Sequence, residues 1–73
     1  MKRVEIEKKL HRYGVTLGDR IIVTSRFGRR GQSYEKAYTL GHFANNSLHL
    51  HNGGKSYIIN FNEIENVEPA NAN

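Results

Sequence analysis

Residues 48 to 61 constrain this chain more than any other stretch. Leu48-His49-Leu50-His51 alternates apolar and polar residues without a break, which is the period of a strand with one buried face. Asn52-Gly53-Gly54-Lys55 comes next, and a glycine pair between two such runs marks a tight hairpin. Ser56 to Phe61 then returns as the second arm. A chain that spends its centre this way is built on an antiparallel sheet. The alternation puts Leu48 and Leu50 inward, with His49 and His51 outward.

The flanking sequence supplies the other elements. Ile6, Leu10 and Tyr13 are spaced four and three apart, so residues 2–13 read as a short helix with one apolar stripe. Glu5 precedes Lys9 by four, the favourable order for a helical ion pair, and Gly14 supplies a stop. The helix is expected to pack as a lid on a barrel rather than offer its stripe to a partner helix. Gly18-Asp19 turns into a strand from Arg20 to Phe27, where Ile21-Ile22-Val23-Thr24 favours extended backbone. Alternation puts Ile21, Val23 and Phe27 on one face and Ile22, Thr24 and Arg26 on the other.

A polar loop, Gly28 to Ser33, precedes a second strand from about Glu35 to Phe43. Gly41 inside that strand signals a bulge or sharp bend. Asn45-Asn46-Ser47 is turn chemistry. After the hairpin, Asn62-Glu63-Ile64 fits one turn of 3₁₀ helix, and Glu65 to Glu68 a fifth strand ended by Pro69. The expected organisation is one domain over residues 1–69, followed by a flexible tail at 70–73.

A helix followed by five short strands, with a 3₁₀ break before the last, resembles the small Sm-like barrel of Lsm proteins and bacterial Hfq. The closing segment Tyr57-Ile58-Ile59-Asn60-Phe61-Asn62-Glu63-Ile64-Glu65-Asn66-Val67-Glu68-Pro69 carries most of the likeness. The resemblance implies a mainly β fold: a short N-terminal helix, then a five-stranded, strongly bent small barrel. It also implies a homo-oligomer, in which the fourth strand of one subunit pairs with the fifth of the next. Lys36-Ala37 stand where the family usually has a glycine, and Ala44 where it has a loop aspartate. What carries over is therefore the fold and the ring, not a family-type uridine pocket.

Charge points to the kind of partner. Residues 1–36 hold ten Lys and Arg against four acids, a net of +6, whereas residues 37–73 hold Lys55 against Glu63, Glu65 and Glu68, a net of −2. A face so biased suits an anion, and nucleic acid is the commonest. Arg26, Arg29, Arg30 and Lys36, interleaved with Tyr34, form the best candidate contact. Guanidinium forks match phosphates and flat rings stack unpaired bases. Asn45 and Asn46 in the next turn join them as candidate nucleic-acid-binding residues. The expected function is a non-catalytic module binding RNA or single-stranded nucleic acid as a homo-oligomer. The alternative is a protein-interaction module, such as a small regulator or inhibitor from a phage or mobile element.

Other chemistries fare worse. The chain has no cysteine, which removes disulfides and most zinc sites, and fits a reducing, cytoplasmic setting. No apolar run approaches the roughly 20 residues of a membrane span. His11, His42, His49 and His51 invite a metal reading, and His49 and His51 share one strand face; no third ligand is evident unless His42 comes across from the neighbouring strand or a subunit supplies it, so no metal or other cofactor is assigned. Gly53-Gly54-Lys55-Ser56 ends like a phosphate-binding loop, yet His49 stands where that motif needs glycine. No serine or histidine has a local context that builds a nucleophile with an oriented base, so no enzyme is expected. Seventy-three residues also bury only about 60% of the unfolded surface, which favours oligomerisation as a source of stability.

Overall fold

The computed structural model describes residues 1–27 and 31–70, with the side chain of Phe27 left out. Helix α1 (Arg3–Arg12) precedes strands β1 (Arg20–Phe27), β2 (Gln32–Phe43), β3 (Ser47–Asn52) and β4 (Lys55–Asn60). A single 3₁₀ turn, Phe61–Glu63, then leads into β5 (Ile64–Pro69). Among the described residues no helix is long and apolar enough to cross a membrane.

The helix forms much as its spacing requires. Ile6 and Leu10 are its buried residues, whereas Tyr13, expected in the same stripe, is the C-cap and half exposed, because the helix stops at Arg12. Lys2 N–H donates to the Glu5 carboxylate at 3.0 Å, satisfying one of the donors a helix start leaves open. The helical ion pair is Arg3–Glu7, 2.5 Å and half exposed, instead of Glu5–Lys9. Lys9 is half-buried and turns away, donating to the Asn66 side chain on β5. The helix ends at Gly14, where Val15 N–H closes onto Leu10 O at 2.9 Å.

All five strands join one antiparallel sheet in the order β4-β3-β2-β1-β5. This corrects the expectation of a barrel: the sheet is open. β4 is tied to β3 through its hairpin (Leu50↔Tyr57, Leu48↔Ile59), while β5 pairs with β1 (Val23↔Val67). The 3₁₀ turn between them carries the chain from one edge of the sheet to the other, so β4 and β5 form no ladder together. β2 is the long member, and its two halves have different partners. Its first half runs with β1 (Phe27↔Gln32 to Arg20↔Thr39) and its second with β3 (Thr39↔His51 to Phe43↔Leu48).

Within the half paired to β3 lies a register shift between Leu40 and His42, where Gly41 was expected to bend the strand. The reason for glycine is close approach rather than dihedral freedom. A Cβ at residue 41 would lie 2.4 Å from the His49 carbonyl oxygen. At the β3–β4 hairpin the reason is the backbone itself. Gly53 and Gly54 both take positive φ, 59° and 79°, between paired Asn52 and Lys55, the two-residue turn that matches strand twist.

β2 begins at Gln32, three residues before its apolar alternation starts, because Gln32, Ser33 and Tyr34 pair with Phe27, Arg26 and Ser25 of β1. The last strand is longer than expected by a residue at each end. Pro69 sits inside it as its final residue, on an edge strand where a missing donor is tolerated.

One face of every strand meets α1 in a single core. Ile6, Leu10, Ile21, Val23, Tyr38, Leu40, Leu48, Leu50, Ile59, Phe61, Ile64 and Val67 are all buried. Leu48 and Leu50 point inward as the alternation requires, and His51 is exposed.

Candidate nucleic-acid interface

Two turns that are distant in sequence meet at one end of the molecule. The β2–β3 turn closes through Ala44 N–H to Ser47 O at 2.9 Å. The β4–β5 connection docks on it, with Phe61 N–H donating to Asn46 O at 3.0 Å. The buried Phe61 ring lies 6.2 Å from that of Phe43 and anchors the junction from below. Above it Asn45, Asn46, Asn60 and Asn62 are all exposed.

The start of α1 completes this end. The Met1 amino group donates to Phe61 O at 3.1 Å and also to Ile64 O. Arg3 sends Nη1 to Ala44 O at 3.3 Å, and its guanidinium lies 5.7 Å from the Phe43 ring centre. Lys2, Arg3, Glu5, Asn45 and Asn62 line a shallow groove, in which Arg3 is also paired with Glu7, next to a second formed by Asn46, Asn60 and Asn62. Four amides, each with donors and an acceptor, thus stand beside two cations. Asn45 and Asn46 were legible as candidates. Asn60, Asn62, Lys2 and Arg3 were not, although asparagines on both sides of Phe61 in a predicted turn were a usable signal.

The remaining candidates lie at the other end of β2. Tyr34 lies near the start of β2, where it pairs with Ser25 of β1, and Asn45 lies in the turn beyond its end, so the predicted residues form two surfaces rather than one. Arg29 and Arg30 lie outside the described residues.

Arg26 is exposed but engaged, with Nε and Nη2 donating to the Glu65 carboxylate at 3.2 and 3.4 Å. Ser33 Oγ donates to the same carboxylate at 2.6 Å. The Ser33 hydrogen bond, the largest influence, holds the Glu65 carboxyl below its ordinary range; desolvation opposes it, and the charge and hydrogen bond of Arg26 add to the lowering. This network ties the β1–β2 arm to β5.

Tyr34 and Lys36 lie on the opposite side of β2 from Ser33, the side that carries Tyr38 and Leu40 into the core. Tyr34 is half exposed and donates to Gln32 Oε1 at 2.8 Å. Lys36 reaches over two rings, its Nζ 5.1 Å from the centre of Tyr57 and 5.8 Å from that of Tyr38. Those rings meet edge to face at 5.5 Å. Burial, with Tyr57 beside it, raises the Tyr38 phenol above its ordinary value. Tyr57 was missed in the sequence because its approach to Lys36 depends on how two hairpins pack.

His42, His49 and His51 occupy the outer face of the sheet, and His11 lies on α1. His42 and His49 are cross-strand partners whose rings stack at 4.2 Å, and His51 Nδ1 lies 3.4 Å from Ser56 Oγ. Stacked imidazoles turn their faces, not their lone pairs, toward each other. Among the described residues no three His, Asp or Glu side chains converge to hold a metal. No family model, curated protein or solved structure gives a significant match to this chain.

Proposed function

We propose that this chain is a non-catalytic module that binds nucleic acid, RNA in preference, and does so as a homo-oligomer. The observation that carries the reading is the junction of the two asparagine turns. Carboxamides present donor and acceptor together, which is what the edges of unpaired bases require. Lys2 and Arg3 beside them suit the phosphates between those bases. The net +6 of residues 1–36 supplies the attraction that brings a polyanion to this surface.

The open sheet supports the oligomer. β4 and β5 are its two edges, and an unpaired edge is a template for another strand. Pairing the β4 edge of one copy with the β5 edge of the next is the arrangement the Sm-like resemblance implies.

Gel shift with pooled RNA, using two double variants, tests the reading. Arg29→Ala with Arg30→Ala weakens binding and flattens its salt dependence, because phosphate contacts are lost. Asn46→Ala with Asn62→Ala weakens binding but leaves the salt slope as it was, because base contacts are lost. If wild type and both variants bind RNA and DNA equally poorly at low salt, the reading is wrong.

A second reading, a protein-interaction module, draws on a different feature. Leu10, Val15, Leu17, Leu40 and Phe43 line an apolar groove between α1 and β2, and Leu17 is 65% exposed. A pull-down from lysate that yields one stoichiometric protein, with no RNA shift, favours this reading.

A further inference from the structure

β4 ends one side of the sheet, and from Ser56 to Asn60 its sequence carries no charge and no proline. Resting on the homo-oligomer proposed above, we infer that β4 is the contact between copies, pairing antiparallel with β4 of a second copy about a twofold axis at Ile58.

The free backbone groups follow from the hairpin. Gly53 and Gly54 make a two-residue turn between Asn52 and Lys55, so those two residues exchange backbone hydrogen bonds. Alternation then directs the groups of Tyr57 to Leu50 and those of Ile59 to Leu48. The next bond in that series, Phe61 N–H to Asn46 O at 3.0 Å, is present. The N–H and C=O groups of Ser56, Ile58 and Asn60 therefore point away from β3, along the open side.

β5, the other edge, is guarded. Ala70 N–H donates to Arg20 O at 3.1 Å, and alternation from that bond turns the groups of Val67 and Pro69 outward. Pro69 has no N–H to give. Glu65 and Glu68 add two carboxylates to the same strand. Proline and charge are common protections of a sheet edge. The edges themselves thus favour β4 with its own copy over the β4–β5 pairing that the resemblance implies.

The β4 pairing is also self-complementary. Centred on Ile58, it sets Ser56 opposite Asn60 of the second copy and Ile58 opposite its own equivalent, each pair exchanging both backbone hydrogen bonds. Polar residues meet polar, and apolar meet apolar. Lys55, the one charge on the strand, falls at the outer end, so no like charges face each other. Ile58 is 64% exposed, cross-strand from His49 on the outer face, and the second Ile58 covers its open side. On the inner face Tyr57 comes opposite Ile59 of the second copy, which extends the core across the seam.

The chain has no cysteine, so a single introduced thiol reports the contact. Facing residues of a hydrogen-bonded pair have Cα atoms about 5.5 Å apart, within the span of a disulfide. With diamide as oxidant, Ile58→Cys is expected to form a covalent dimer at least roughly tenfold faster than Ser56→Cys, whose two copies lie roughly 13 Å apart along the strands. Mixing Ser56→Cys with Asn60→Cys is expected to yield the mixed dimer. Ile58→Pro removes an outward N–H without touching the β3 ladder, and Ile58→Lys sets like charges face to face. Each is expected to stay folded by circular dichroism and to weaken self-association roughly tenfold or more in light scattering. An oligomer in which Ile58→Cys cross-links no faster than Ser56→Cys, or which both Ile58→Pro and Ile58→Lys leave intact, overturns the inference and leaves the homo-oligomer standing. A wild type that is monomeric at every concentration overturns both.

Discussion

Gly41→Ala is expected to destabilise the protein by about 1–2 kcal/mol, and the reason is steric. The methyl group would sit 2.4 Å from the His49 carbonyl oxygen and 3.1 Å from its carbon. Ordinary contact begins near 3.4 Å, so β2 and β3 must separate by several tenths of an ångström or more. That movement is opposed because His49 lies between Leu48 and Leu50, both 0% exposed in the core. Forcing a carbon into a packed site costs about 1–3 kcal/mol. Alanine also restricts the unfolded chain more than glycine, which offsets about 0.4–1 kcal/mol. For a domain of this size 1 kcal/mol moves Tm by about 4–8 °C, so thermal unfolding followed by circular dichroism should fall by about 10 °C. The third close contact, His51 Nε2 at 3.0 Å, is the end of a flexible side chain, so adding His51→Ala should not restore stability. A Gly41→Ala protein as stable as wild type, or more so, refutes the close approach and the bulge built on it.

Two other predictions concern the arm and the edges. Because the Glu65 carboxyl is held below its ordinary value by Ser33 and Arg26, its contribution is present above about pH 4.5 and is lost as pH falls through the lowered value. Urea unfolding should therefore show wild type more stable than Glu65→Gln at neutral pH, with the gap closing in acid; a gap that does not change with pH contradicts the network. Light scattering should return a multiple of the 8.4 kDa chain mass, and a clean monomer removes the edge-to-edge assembly.

The fold was legible wherever pattern is local. Alternation at 48–51, the paired glycines at 53–54 and the four-residue spacing of Ile6 and Leu10 each name an element without outside help, although Tyr13, read into the same stripe, is exposed. What was not legible depends on partners remote in sequence. The start of β2 at Gln32 is set by β1, since Gln32-Ser33-Tyr34 has no apolar rhythm of its own. The open sheet follows from β5 choosing β1 over β4, a choice made across more than 40 residues. The candidate site divides along the same line. Arg26 looked like a free cation until Glu65 came across from β5, and Lys36 gained its aromatic surroundings only when Tyr57 arrived from β4. The asparagines at 60 and 62 became part of a surface because one backbone hydrogen bond, Phe61 to Asn46, joined two turns.

The most direct test of the central claim is the affinity of the wild-type protein for single-stranded RNA as a function of salt, measured by fluorescence anisotropy. Phosphate contacts from Lys2, Arg3, Arg29, Arg30 and Lys36 predict saturable binding whose log K falls linearly with log salt, with a slope of about −3.5 for five contacts. Absence of saturable binding at low salt, or binding indifferent to salt, contradicts the account.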